Sequence, residues 1–194
     1  MPFVLIVMAL IAIAIVLDSR GSPFFIQERI GFHGQRFWVY KFRTMWSNHD
    51  PKKDSAFMKS YVAGTLAKDN EPANKPASFK PFSNSDVTRV GRILRKTSLD
   101  ELPQILNVLN GEMSLIGPRP NVPWEVESYK SWHYDRLAVL PGITGLAQVM
   151  GRSDISFDQI ARYDIQYAKN TTLQLDLWIC WQTISVVFTG KGAG

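Results

Sequence analysis

The sequence predicts an α+β fold, a mainly helical single domain with one small β-hairpin. Three observations carry that prediction. The chain has 194 residues, enough for a real core and the usual size of one domain. Two nearly continuous apolar runs of helical length lie at its ends, Pro2 to Leu17 and Leu173 to Phe188. Near the first run, Phe24 to Ile30 and Arg36 to Phe42 are rich in aromatic and β-branched residues, and Gly31-Phe32-His33-Gly34 between them supplies a turn.

Composition narrows the function classes. Hydrophobic residues make up 45%, but they gather at the ends and leave the middle polar. The net charge of +5 favours anionic partners: nucleotide, phospholipid or nucleic acid. The one cysteine, Cys180, sits in an apolar run, so no intrachain disulfide is available and a buried, inert thiol is expected. His33, His49 and His133 lack zinc-ligand spacing and are assigned surface or loop roles.

In chain order, the first apolar run would make a helix of roughly 24 Å, short of the ~30 Å hydrocarbon core. No Lys or Arg precedes it, and Asp18-Ser19-Arg20 ends it without a cleavage site, which argues against a signal peptide. It is either a buried core helix or a membrane-inserted segment that does not cross. On the hairpin, Arg29, Lys41 and Arg43 form either a solvated face or a basic collar for headgroups or a nucleotide. From about 46 to 84 the chain is polar and proline-bearing, a long loop with a short helix over Phe57 to Ala67. Asp86 to Lys96 has helical spacing, with Val87, Val90, Ile93 and Leu94 on one side and Arg89, Arg92, Arg95 and Lys96 exposed.

The chain is organised around Thr97 to Gln104. Ser98 and Glu101 have capping-box spacing, so a helix is expected to start here and run toward Leu109, closed by Gly111. Asp100 and Glu101 then fall in its first turn, where the helix dipole favours their charged forms. An ionised Asp can act as a nucleophile, and its neighbour can hold a divalent cation; plain capping is the competing reading. Pro103 lacks an N–H where the first helical bonds form, so the turn is expected to be irregular.

Further on, two prolines flank Arg119 and stiffen its presentation, either for bidentate phosphate recognition or as a rigid turn. Trp124 to Leu137 reads as a helix. Pro141 to Gln148 is a glycine-bearing loop whose amides either cradle an anion or simply turn the chain. Phe157 to Lys169 is helical, with Tyr163 and Tyr167 one turn apart beside Asp164 as stacked surface aromatics. Trp178 and Trp181 in the last apolar run fit an interfacial helix or core packing equally.

Taken together, several long motifs in order resemble a known family. Gln27-Glu28-Arg29-Ile30-Gly31, Lys41-Phe42-Arg43-Thr44-Met45, Thr97 to Gln104, Gly111 to Pro120 and Pro141 to Gln148 are similar to those of the bacterial sugar transferases, the monotopic polyprenyl-phosphate phosphoglycosyl transferases. Leu175-Asp176-Leu177 and Thr189-Gly190-Lys191-Gly192 also fit.

The resemblance implies transfer of a sugar-1-phosphate from a UDP-sugar to undecaprenyl phosphate, with release of UMP. Asp100 would be the nucleophile, forming a covalent phosphosugar. Glu101 would help to position Mg²⁺, making Asp100 and Glu101 the metal residues. Arg119, Arg89, Arg95 and Lys96, with Pro118, Pro120 and Thr144, would line the phosphate and nucleotide site. The implied location is the cytoplasmic face of the bacterial inner membrane, with residues 1–20 membrane-inserted, residues 21–194 catalytic and the last helix interfacial. In the family the first segment enters and leaves the membrane on one face; Met1-Pro2 lies near that bend, so the entering arm is expected to be absent. Oligomeric state is open, a homodimer included. The rival readings are a non-catalytic basic adaptor at the membrane surface and, less fitting for a chain with two apolar runs and no reader module, a nucleic-acid binder.

Overall fold

A computed structural model describes residues 2–46, 58–64, 84–151 and 155–189. Helix α1 (Pro2–Asp18) leads into an antiparallel hairpin of β1 (Phe24–Ile30) and β2 (Arg36–Phe42). Helix α2 (Arg89–Thr97), a 3₁₀ segment (Leu99–Gln104) and α3 (Ile105–Leu109) follow. Strand β3 (Ser114–Ile116) pairs in parallel with β4 (Gly142–Thr144). Between those strands lie α4 (Pro123–Val126) and a 3₁₀ segment (Ser131–Ala138). After them come α5 (Leu146–Met150), α6 (Phe157–Lys169) and α7 (Leu173–Thr189). The α+β, mainly helical reading holds. Of the expected 46–84 loop, residues 58–63 are helical, in agreement with part of the Phe57 to Ala67 assignment. His49 and much of that loop lie outside the described residues.

The hairpin separates two parts of the core, because alternate residues of a strand face opposite sides. Phe42 packs with Met8 and Ile15 of α1 and Leu94 of α2. Phe37 and Val39, on the other side, pack with Met113. The alternation places Lys41 on the side of Phe37 and Val39. Asn107 ties β2 to the segment after the dyad: its side chain donates to the Trp38 carbonyl at 2.7 Å and accepts from the Tyr40 N–H at 3.2 Å.

Helix α2 begins with the Thr88 side chain accepting from the Gly91 N–H at 2.9 Å. Asp18, the last residue of α1, accepts from the Val90 N–H at 2.9 Å, so one helix end caps the next helix start. Gly91 admits the Thr44 carbonyl so closely that a Cβ there would lie 2.1 Å from it. The Lys41 to Met45 motif is thereby locked against α2.

Several local expectations are corrected. The capping box at Ser98 and Glu101 does not form. Ser98 is already the end of α2, in left-handed backbone at φ 57°, and its side chain caps nothing. Trp124 to Leu137 is not one helix but α4 and a 3₁₀ segment. Ile93, placed on the buried side of α2, is 63% exposed. Cys180 is exposed, because α7 buries its neighbour Ile179 instead. His133 is fully buried rather than superficial. Tyr167 and Asp164 belong to the interior, and Tyr167 donates to Asp176 at 2.8 Å.

The end helices each use one side only. Met8 and Ile15 of α1 are buried, while Phe3, Leu10 and Leu17 are exposed. On α7, Ile179 is buried, while Leu173, Leu177 and Trp181 are exposed. Among the described residues no helix is long and apolar enough to cross a membrane.

Candidate active site

The dyad lies on the 3₁₀ segment Leu99–Gln104. Pro103 has no N–H to donate to an α-helical ladder, and the left-handed Ser98 turns the chain just before it. A 3₁₀ helix has three residues per turn, so successive side chains leave it about 120° apart. Leu102 packs into the core with Phe42 and Leu94, Glu101 meets two cations, and Asp100 takes a third direction.

Glu101 Oε1 accepts from Lys41 Nζ at 2.7 Å and from Arg119 Nη1 at 2.8 Å. Burial opposes ionisation of Glu101, but the charges and hydrogen bonds of Lys41 and Arg119 outweigh it and hold the carboxyl far below its usual range. Asp100 has no hydrogen bond or ion pair among the described residues. Burial, reinforced by the Glu101 charge, raises its carboxyl above the ordinary value, against the pull of Lys41, Arg119 and Arg95. The two adjacent carboxylates are thus driven in opposite directions.

Three cations surround the dyad. Lys41 is lowered, chiefly by burial and then by the charge of Arg119. Arg95 is lowered by burial, with Asp100 opposing. The Arg119 side chain is 47% exposed against 15% for Lys41 and Glu101, so of the two cations bound to Glu101 it is Arg119 that is open to solvent. A fourth cation, Arg29, stands behind this group. Burial pulls it down to about 10, against the nearby Glu125, and it donates to the Pro120 carbonyl at 3.0 Å.

Of the residues assigned from sequence, Asp100, Glu101, Arg119 and Arg95 converge, with Pro118 and Pro120 flanking Arg119. Arg89 and Lys96 are exposed on α2 and form no ion pair with the dyad. The Thr144 hydroxyl hydrogen-bonds Thr183 of α7 at 2.8 Å and faces that helix. The glycine loop is also used internally: the Gly142 N–H donates to the Pro118 carbonyl and the Gly117 N–H to the Thr144 carbonyl. A Cβ on Gly142 would lie 2.1 Å from the Gly117 nitrogen, so close backbone approach explains the glycines. The hairpin cations are neither a solvated face nor a free collar. Arg29 and Lys41 serve the site, and Arg43 caps the end of α1 through Ser19 and Arg20. The residue sequence reasoning missed is Lys41 as a partner of the dyad. Its signal was the alternation that puts Phe37, Val39 and Lys41 on one side of β2.

Comparison with known proteins adds to this geometry. The family model for bacterial sugar transferase matches residues 1–190. The exopolysaccharide production protein ExoY of Rhizobium meliloti is 40% identical over 194 residues, covering 99% of this chain and 80% of that protein. The galactosyl transferase CpsE of Streptococcus agalactiae is 37% identical over 193 residues, 97% of this chain and 40% of that protein. The undecaprenyl-phosphate galactose phosphotransferase of Salmonella typhimurium is 41% identical over 181 residues, 92% of this chain and 36% of that protein. The chain therefore spans most of the rhizobial relative and well under half of the other two.

Proposed function

Because this chain belongs to the bacterial sugar transferase family, we propose that it moves a sugar-1-phosphate from a UDP-sugar to a polyprenyl phosphate such as undecaprenyl phosphate, releasing UMP. The observation that carries this reading is the division within the dyad. Glu101 is committed to Lys41 and Arg119, while the Asp100 carboxylate has no hydrogen bond or ion pair among the described residues and is available to a reacting phosphorus. The name of the Salmonella relative, which specifies phosphotransfer on undecaprenyl phosphate, supports the same chemistry.

An Asp100 oxygen attacks the phosphorus nearer the sugar. The bond from that phosphorus to the bridging oxygen breaks, UMP leaves with the bridging oxygen, and an aspartyl phosphosugar remains. A phosphate oxygen of the lipid then attacks the same phosphorus, restores the Asp100 carboxylate and yields the lipid-diphosphate-sugar. Arg119 and Arg95 neutralise charge on the donor, and Lys41 holds Glu101 ionised and in place. Both cations on Glu101 bind Oε1, which among the described residues leaves Oε2 and the Asp100 carboxylate as oxygen donors without a hydrogen bond. That sparse set suits Mg²⁺, which typically uses one or two carboxylates together with substrate phosphates. When bound, it supplies further neutralisation of the diphosphate.

The exposed apolar sides of α1 and α7 support a seat in one leaflet of the inner membrane, on its cytoplasmic face, where a soluble donor and a lipid acceptor meet. The test is transfer of label from a panel of sugar-labelled UDP-sugars into the organic phase, with undecaprenyl phosphate and Mg²⁺. Lipid-soluble label that requires both the acceptor and Asp100 is the expected result. No label with any donor, or equal label from Asp100→Asn, overturns the reading and favours a non-catalytic membrane adaptor.

A further inference from the structure

The chain around Arg119 is held at every carbonyl. Pro118 O accepts from the Gly142 N–H at 2.9 Å, Arg119 O from Arg136 Nη2 at 3.0 Å, Pro120 O from Arg29 Nη1 at 3.0 Å, and Asn121 O from the Ile30 N–H at 2.8 Å. The bond on Arg119's own carbonyl comes from a side chain with almost no exposed surface. Arg136 is 1% exposed and makes five hydrogen bonds. Its Nε donates to Asp164 at 3.0 Å, its Nη1 to the Tyr129 hydroxyl and to Asn121 Oδ1, and its Nη2 to Asp164 and Arg119 O. A guanidinium has five N–H donors, so none is left over.

We propose that Arg136, locked by Asp164, is a positioning residue that fixes the Arg119 backbone so that its guanidinium meets Glu101 at 2.8 Å and stays aimed at the donor diphosphate. This rests on the phosphoglycosyl transfer reading. A buried ion pair is weak evidence for stability, since an apolar pair of similar volume often serves as well. An apolar pair has no donor for the Arg119 carbonyl or the Asn121 side chain. Those two bonds join the interior pair to the segment that carries the exposed cation. Prolines on both sides of Arg119 remove most remaining backbone freedom, so the clamp reaches the guanidinium through a stiff lever.

The test uses the full chain in detergent and Arg136→Lys, which keeps the charge opposite Asp164 but lacks the fork needed to reach all four partners. Because angstrom-scale misplacement of a catalytic group is costly, Arg136→Lys should lower kcat by roughly 10- to 100-fold. If Arg136 acts through Arg119, the same change in an Arg119→Ala background should cost less than about threefold, since coupled sites are not additive. Equal losses in the two backgrounds overturn the proposal.

A second arm needs no turnover. Arginines are modified with phenylglyoxal and read site by site by mass spectrometry. Arg119 should label about threefold faster or more in Arg136→Lys, as expected for a locally loosened segment. Arg36, exposed on the hairpin and paired with Glu28, should be unchanged. Unchanged Arg119 labelling, or a rise shared by Arg36, overturns the proposal. Asp164→Asn, of the same volume, replaces Arg136→Lys if that variant does not fold. Absence of wild-type turnover defeats the functional reading, and the labelling arm then still decides the positioning role.

Discussion

Two arginine–carboxylate pairs lie on either side of one short segment, and they are built in opposite ways. Arg136 and Asp164 are both buried, and every donor of the guanidinium is spent within the protein. The Arg119–Glu101 pair lies at the dyad, with Arg119 half-exposed and Glu101 largely covered. Among the described residues, Arg119 has one side-chain bond, Glu101 has an unused oxygen, and Asp100 beside them has no hydrogen bond or ion pair. A saturated cluster has nothing left to offer a ligand and serves geometry. An unsaturated one is incomplete without a ligand, and that is where chemistry is expected. Depth alone does not make the difference, since Lys41 and Glu101 are only 15% exposed.

Substitutions can break this contrast. The largest effect is expected for Asp100→Asn. Turnover should fall by at least about 10³-fold, since an amide is a poor nucleophile. Its unfolding free energy should equal or exceed that of wild type, because no hydrogen bond among the described residues is lost and a charge that burial disfavours is removed. Next, Arg136→Ala and Arg119→Ala should exchange phenotypes. Removing Arg136 leaves Asp164 buried and unpaired and should cost about 3–5 kcal/mol in urea unfolding. Removing the half-exposed Arg119 should cost no more than about 1 kcal/mol of stability, yet lower kcat by roughly 10²-fold. If both variants lose stability equally, the two pairs do not have different jobs.

The pH profile sharpens the same contrast inside the dyad. The nucleophile acts ionised, so turnover should fall as the pH drops through the Asp100 pKa, which burial and the Glu101 charge hold above the ordinary carboxylate value. Glu101→Gln removes one of those causes and leaves the cations to pull Asp100 down, so the acid limb of the remaining activity should move to lower pH. For stability the signs are opposite. The depressed Glu101 contributes stability above its unfolded pKa, and loses it as the pH falls toward its folded value. Asp100, raised on folding, favours the folded state more as the pH falls through its own pKa. A shift of the acid limb to higher pH in Glu101→Gln would contradict this assignment. The smallest effect is expected at Ser98, where φ is 57°. Ser98→Gly should stabilise by a few tenths to about 1 kcal/mol by relieving left-handed strain, with turnover unchanged.

Much of the frame was legible because local patterns are strong there. The hairpin strands follow from their aromatic and β-branched runs and the glycine turn, and the irregular dyad turn follows from Pro103. The capping box misled because Ser98 was already ending α2, a fact set by how the preceding helix packs. The partners of the site were hidden by distance along the chain. Lys41 and Glu101 are 60 residues apart, and Arg136 and Asp164 are 28 apart. Arg136 and His133 lay in the Trp124 to Leu137 stretch that read as one helix, where nothing local marks a residue as buried. The glycine loop read equally as an anion cradle or a plain turn, because close backbone packing and anion binding both call for glycine, and Thr144 was assigned to the site by resemblance alone.

In the proposed mechanism Asp100 is the free member of the dyad and takes the phosphosugar. The most direct test is intact mass spectrometry of the detergent-solubilised protein with Mg²⁺ and each UDP-sugar in turn, without lipid acceptor. The expected result is a gain of one sugar-phosphate, mapped to Asp100, lost in Asp100→Asn and discharged by undecaprenyl phosphate. An adduct that maps elsewhere or survives in Asp100→Asn would contradict it, as would lipid-dependent turnover with no adduct under any donor.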